Sequence, residues 1–180
     1  MKQTIRISIF LIIALCASLQ PLLAQQIRQK TVGFTLSHTL KSVKGTCQKV
    51  ELQELSIKQE GQTYTSNAFR VIVPLEGMTT GNQNRDSNML EILGYPGTKE
   101  VIARINPVTA QPGKNRLRGT ILLNGQEKPF ESEFELTKSE SGVTITGTAR
   151  LRLSDFSIAP PRLLLFSIDD EIEIAYNVQF

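Results

Sequence analysis

The chain has 180 residues, enough for one domain with a sizeable core. Its formal charge of +3 and pI of about 8.9 look basic, but Lys2 and Arg6 fall in a leader-like stretch without acidic residues, and the rest of the chain carries only +1. So even a balance excludes the basic patch that phosphate backbones demand, and nucleic acid is not an expected partner.

Lys2 and Arg6 precede an apolar run from Ile7 to Ala17, and Ser18, Gln20 and Pro21 end it. Residues 1–24 therefore read as a secretory signal peptide cleaved between Ala24 and Gln25, with one domain over 25–180. The run is short for a transmembrane helix. A periplasmic or secreted protein with no integral membrane segment in the mature chain is expected. A lipid anchor on Cys16 is the alternative, opposed by the bulky Leu15 before it. Cys47 is then alone, so no internal disulfide is expected, and it reads as a buried small apolar side chain rather than a reactive thiol.

Strand periodicity begins at Thr31, where Val32, Phe34, Leu36 and His38 alternate with Thr31, Gly33, Thr35 and Ser37. Thr46 to Ile57 reads as one long second strand. Its apolar residues Val50 and Leu52 change parity to Leu55 and Ile57, which predicts a β-bulge near Gln53-Glu54. Gly61-Gln62 turns the chain, and Phe69 to Leu75 forms the third strand. Gly81-Asn82 is a turn pair, and Asn84 or Asp86 can cap a helix carrying Met89, Leu90, Ile92 and Leu93 and stopped by Gly94. Val101, Ala103 and Ile105 mark a fourth strand. Pro107 to Lys114, with two prolines and a glycine, reads as a loop.

Leu117, Gly119, Ile121 and Leu123 make a fifth strand, and Asn124-Gly125 is a strong hairpin signal. Phe130, Ser132, Phe134 and Leu136 alternate with three glutamates. Val143, Ile145, Gly147, Ala149, Leu151 and Leu153 form the next inner face, and Ile172, Ile174, Tyr176 and Val178 the last. Ser154 to Ser167 reads as irregular, with an exposed-looking Leu163-Leu164-Leu165-Phe166. Eight strands with short hairpins and one short helix suggest a sandwich or a closed up-and-down barrel. A barrel of that size has room for side chains or one slender ligand. The small inward residues Ala103, Gly119, Ser132, Gly147 and Ala149 are expected to leave space in it.

The run Pro74-Leu75, Met78, Thr80-Gly81-Asn82, Arg85-Asp86 and Met89 resembles the YceI-like family of polyisoprenoid-binding, lipocalin-like periplasmic barrels. The likeness extends over the mature chain. Phe34-Thr35-Leu36-Ser37-His38-Thr39 with Val43-Lys44-Gly45 is similar to the family's first strand and turn. The stretch from Leu122 to Phe130 resembles its central hairpin, Leu153 to Ile158 its late D-F-G-I turn, and Asp169 to Ile174 its final strand. Asn124 stands where a histidine is usual, Glu127 near a usual threonine, Cys47 for an aromatic and Ser157 for a glycine. The loop from Tyr95 to Lys99 matches poorly. These departures bear on the ligand rather than on the fold.

The resemblance implies an all-β, eight-stranded antiparallel lipocalin-like barrel with the helix covering one end. It implies an exported carrier of a long apolar or amphiphilic ligand of isoprenoid, quinone or fatty-acyl type. The expected ligand-binding residues are Phe34, Leu36, His38, Val71, Val73, Met78, Arg85, Met89, Leu93, Ile121, Phe130, Phe134 and Ile145. Arg85 has two readings: a partner for loop carbonyls or a carboxylate beside a capping Asp86, or a contact to a ligand head group. The alternative to a carrier is a secreted stress-related or interaction barrel with a filled core.

No catalytic set is legible. His38 is the only histidine and lies in the apolar set of its strand, which suits a wall residue better than a general base. No metal-ligand spacing and no phosphate-binding glycine loop occur. The chain is therefore not expected to be an enzyme, and no metal or cofactor is called for beyond a bound isoprenoid or other lipid. A homodimer is left open.

Intact mass of the exported protein checks the leader. A chain beginning at Gln25 is expected, and a diacylglycerol adduct on Cys16 would overturn that reading.

Overall fold

A computed structural model describes residues 27–36, 42–160, 162–163, 166–167 and 169–180. The leader read over 1–24, His38, Leu164 and Leu165 lie outside the described residues.

The strands are β1 Gln29–Leu36, β2 Val43–Cys47, β3 Glu51–Gln53, β4 Ile57–Glu60, β5 Thr63–Ser66, β6 Phe69–Pro74 and β7 Met78–Thr79. After helix α1 (Gln83–Ile92) come β8 Glu100–Ile105, β9 Val108–Ala110, β10 Gly113–Leu123, β11 Gln126–Ser139 and β12 Gly142–Arg152. The short β13 Arg162–Leu163 and β14 Phe166–Ser167 and the final β15 Glu171–Gln179 complete the chain. One ten-stranded sheet runs β3-β6-β8-β10-β11-β12-β15-β1-β2-β7, and a three-stranded sheet runs β4-β5-β9. Every ladder is antiparallel.

These pieces fall into the eight expected positions. The chain makes β2, β3 and β4 successive parts of one wall position, β5, β6 and β7 parts of the next, and β8 and β9 parts of a third. The β2·β7 pairing (Cys47↔Met78) and the β3·β6 pairing (Leu52↔Val71) then join both edges of the sheet into a ring. Closure is complete only in the half that holds α1. Beyond Val32↔Cys47, β2 leaves β1, and Gln29–Thr31 pair with β15 alone. Among the described residues β3 pairs only with β6, and β4 only with β5. A lateral slot therefore separates the start of β1 from β3 and β4.

Two local breaks produce this departure. Glu54 adopts φ +64, at the position where the apolar parity switches. Because the break compensates for the switch, Val50, Leu52, Leu55 and Ile57 all still face inward. Asn67 holds the kinked strands together: its Nδ2 donates to Glu54 O (2.7 Å) and Ala68 O (2.8 Å), and its Oδ1 accepts from Ser56 N (2.7 Å). The second break is the 3-10 turn Leu75–Gly77, whose Leu75 is fully buried and donates its N–H to Lys99 O (2.9 Å).

Three segments differ from the sequence reading. Ser154 to Ser167, read as irregular, holds a 3-10 turn at Ser154–Phe156 and the antiparallel pair β13·β14, in register Arg162↔Ser167 and Leu163↔Phe166. Val108–Ala110 is a strand rather than part of a loop, because Pro107 and Pro112 bracket it and leave its own amides free to pair with β5. Thr63–Ser66 is a strand that its single apolar residue did not announce; the two-residue turn Gly61-Gln62 sets its register against β4.

Clusters of buried apolar residues fill both ends. At the helix end Leu75, Leu93, Ile121, Leu123, Leu153, Phe156 and Ile158 pack together, with Met89 and Leu90 of α1 against them. At the other end Tyr64, Ala110, Phe134, Leu136 and Val143 pack together. Outside, Arg116–Glu133 (3.0 Å) and Arg118–Glu131 (2.7 Å) pair across β10 and β11. Such exposed pairs add at most about 1 kcal/mol each and chiefly keep the outer face wet.

Ser157 ends the 3-10 turn Ser154–Phe156 with φ +58. A non-glycine residue there costs roughly 1–2 kcal/mol, more than the roughly 0.4–1 kcal/mol of unfolded-chain freedom that glycine adds. Ser157→Gly should therefore raise stability by about 0.5–1 kcal/mol in urea melts.

Candidate functional site

Between the two end clusters lies a cavity of about 250 Å³. An apolar cavity of about 150 Å³ already accepts a benzene ring, so this space is large enough for part of a chain molecule. Its walls are almost wholly apolar. Phe34, Val71, Val73, Met78, Ile121, Phe130, Phe134 and Ile145 from the sequence-derived set all line it. Strand pleating explains this, because residues two apart share the inner face. The cavity reaches the slot, where Lys30, Val32, Leu52, Leu55 and Ile57 line it.

The other residues of that set fall elsewhere. Leu36, Met89 and Leu93 pack in the helix-end cluster and close the space rather than line it. Arg85 is exposed and turned to its own turn, its guanidinium bonding Thr80 Oγ1 (3.3 Å) and Thr80 O (3.1 Å). That is the loop-carbonyl reading. His38 lies outside the described residues.

The small inward residues also need correction. A Cβ on Gly119 would collide with the backbone oxygen of Arg104, so that glycine serves the close approach of β8 and β10. A Cβ on Gly147 would collide with the ring of Tyr176, which covers it, as Phe34 covers Gly45. Ser132 is occupied by hydrogen bonds to Thr148 O (2.6 Å) and Tyr176 Oη (2.9 Å). Ala103 and Ala149 do line the cavity.

Sequence reasoning missed Tyr64, Ser66, Val108, Leu117, Tyr176 and Phe180 as site residues, although all line the space. Tyr176 was legible as inward-facing by parity. Tyr64 and Ser66 were not, because nothing marked Thr63–Ser66 as a strand.

The turn before α1 is a structural lock. Asn82, not Asn84 or Asp86, is the N-cap, its Oδ1 accepting from Arg85 N (3.0 Å). Asp86 sits one turn inside and reaches back, accepting from Thr79 Oγ1 (2.8 Å), Thr80 N (2.7 Å) and Thr80 Oγ1 (2.6 Å). The Thr80 hydroxyl bond, foremost, holds the Asp86 carboxyl below its ordinary range. Asp170 is lowered likewise by the Ser154 hydroxyl, and Glu127 by the Thr120 hydroxyl. Cys47 is 1% exposed and its thiol is pushed up by burial, in keeping with a packing role.

Among the described residues no group of three or more His, Cys, Asp and Glu side chains is placed to hold a metal ion. No helix among them is long and apolar enough to cross a membrane.

An antiparallel eight-position barrel, plugged by one helix and hollow within, defines a lipocalin-like barrel. The family model of the YceI-like domain matches residues 25–180, and the chain belongs to that family. No curated protein matches the sequence. Among solved structures it is similar to BcnA of Burkholderia cenocepacia, with a TM-score of 0.68 and 12% identity over 84% of this chain and 96% of that one. A polyisoprenoid-binding domain from Saccharophagus degradans, implicated in plant cell wall breakdown, gives a TM-score of 0.62 and 10% identity over 85% and 95%. The YceI protein of Campylobacter jejuni gives 0.58 and 17% over 78% and 85%. At these identities the likeness speaks for the fold.

A carboxylate whose folded pKa is depressed contributes stability that is present above the unfolded value of about 3.9–4.3 and is lost as pH falls through the folded value. Urea midpoints should therefore drop as pH falls below about 4. Asp86→Asn should remove part of that dependence. At neutral pH Asp86→Ala should cost about 1–2 kcal/mol, since it strands three donors on a half-exposed turn. Asn82→Ala should cost about 1 kcal/mol as an ordinary lost cap.

Proposed function

We propose that this protein is an exported binder or carrier of a long apolar or amphiphilic molecule of isoprenoid, quinone or fatty-acyl type. The observation that carries the reading is the continuous apolar wall around the cavity and its opening at the slot between β1 and β3–β4. A solved neighbour is described as a polyisoprenoid-binding domain, and the family is one of binding domains. Phe34, Val71, Val73, Met78, Ile121, Phe130, Phe134 and Ile145 contact the ligand directly. Leu36, Met89 and Leu93 seal the helix end behind it.

Binding needs no covalent step, metal or cofactor. Each methylene moved from water to the cavity yields about 0.8 kcal/mol, so ten buried carbons yield about 8 kcal/mol before the costs of association. Micromolar affinity corresponds to about 8.2 kcal/mol. A ligand tail longer than the cavity can leave through the slot, whose partly exposed Leu52, Leu55 and Ile57 extend the apolar surface. The Lys2, Arg6 and Ile7–Ala17 leader supports export. The rival reading is a barrel with a filled core, serving stress or interaction, and the glycines covered by aromatic rings are what favours it.

Organic extraction of the purified protein followed by mass spectrometry tests the choice. A carrier should release a long-chain apolar compound. Ala149, 6% exposed and on the cavity wall, offers the matching variant. Ala149→Phe should lower the extracted amount severalfold and leave the urea midpoint near wild type. A filled core predicts no extract and an overpacking loss of about 1–3 kcal/mol.

A further inference from the structure

The cavity wall holds two tyrosines, and their hydroxyls are in opposite states. Ser132 Oγ directs its proton to Thr148 O (2.6 Å), so it accepts the proton of Tyr176 Oη, 2.9 Å away. The Tyr176 donor is thus spent inside the wall. Tyr64 is 6% exposed and packs among Ala110, Phe134, Leu136 and Val143. Its Oη is enclosed and has no hydrogen-bond partner among the described residues. Ser66, two residues on and therefore on the same face of β5, also has a buried Oγ without a partner there. Both residues line the cavity. A buried tyrosine hydroxyl normally finds a partner, and leaving a donor unpaired is costly.

We infer that Tyr64 and Ser66 form a polar anchor for a neutral oxygen acceptor on the ligand, a carbonyl carried by an otherwise apolar chain. The inference rests on the carrier reading above and adds to it which ligands are preferred and which way round they lie. The carbonyl sits at the β4–β5–β9 side of the cavity, beside the slot, and the hydrocarbon points towards the cluster under α1. A neutral group fits better than an ion, because the enclosure around Tyr64 is apolar and a charge there would lose its hydration without a partner. The lining cation, Lys30, stands across the slot on β1. The apolar wall supplies affinity without discriminating among chains, whereas an unpaired buried donor penalises the ligand that cannot satisfy it.

Displacement of the neutral dye N-phenyl-1-naphthylamine by 2-octanone and by octane tests this, in wild type, Tyr64→Phe, Ser66→Ala and Tyr176→Phe. The ketone-to-alkane affinity ratio should fall about five- to tenfold in Tyr64→Phe, fall less in Ser66→Ala, and hold in Tyr176→Phe. Urea melts of the ligand-free proteins form the second arm. Tyr64→Phe should be as stable as wild type or more so, because it removes an unpaired donor, while Tyr176→Phe should be less stable. An unchanged ratio in both Tyr64→Phe and Ser66→Ala, with octane still displacing the dye, would overturn the anchor and leave the carrier reading standing. A loss of stability in Tyr64→Phe equal to that in Tyr176→Phe would also overturn it, since the donor would then be spent in the free protein. Failure of both compounds to displace the dye from wild type would sink the carrier reading and the anchor with it.

Discussion

The structure depends on one constraint: two neighbouring wall strands must break at matched heights. The chain from β2 to β4 kinks at Glu54, and its neighbour from β5 to β7 kinks at Asn67-Ala68, where one asparagine side chain ties both kinks. Nearer the helix, the 3-10 turn Leu75–Gly77 separates β6 from β7 while residues 48–50 separate β2 from β3. Gly77 lies against Cys47 and Lys49 there, so closely that a Cβ would sit 3.0 Å from the Cys47 sulfur and 3.1 Å from Lys49 Cβ. Without the breaks the ladder would run on and the ring would zip shut along its length. With them it closes only where α1 sits, and the far half stays split beside β1.

That asymmetry sorts the residues into three jobs. The P-L-x-x-M-x-T-G-N-x-x-R-D-x-x-M run, the most distinctive stretch of the sequence, does not touch the cavity through its polar members. Asn82, Arg85, Asp86 and Thr80 bind one another and hold α1 over the closed end. The aliphatic and aromatic inner faces make the hollow, with Phe34 and Tyr176 covering the glycines that would otherwise thin the wall. The third job belongs to the β4–β5–β9 sheet, which flanks the slot and brings Tyr64 and Ser66 to the space. On the proposed carrier function, affinity, closure and selectivity would come from different parts of the chain and could change separately.

Much of the fold was legible because one inner face imposes a period of two. The alternation of Phe130, Ser132, Phe134 and Leu136 with glutamates became inner and exposed positions in turn, Phe130 partly buried and the other three fully so. The Asn124-Gly125 turn took positive φ at both residues. The parity switch after Leu52 located the kink at Glu54. What parity cannot show is what fills the space above a small residue. Gly119 and Gly147 read as holes, and the structure puts a backbone and a ring there. Met89 and Leu93 entered the ligand set with the family resemblance, but a short helix over the closed end must first bury its own apolar face, and both pack in the cluster there. Arg85 carried two readings in the sequence, and the one that the structure displays is the bond to its own turn carbonyl, Thr80 O. Thr63–Ser66 stayed invisible because a strand of four residues with one apolar side chain has no period to detect.

The central claim is that the hollow of the barrel, and not its surface, receives an apolar ligand. Methyl NMR of the protein titrated with farnesol, a C15 isoprenoid alcohol, tests it most directly. The account predicts saturable shifts at the methyls of Val71, Val73, Ile121 and Ile145, which line the cavity, with Ile92 on the outer side of α1 unmoved. Shifts confined to Ile92 and other surface methyls, or no saturable shifts at all, would contradict it.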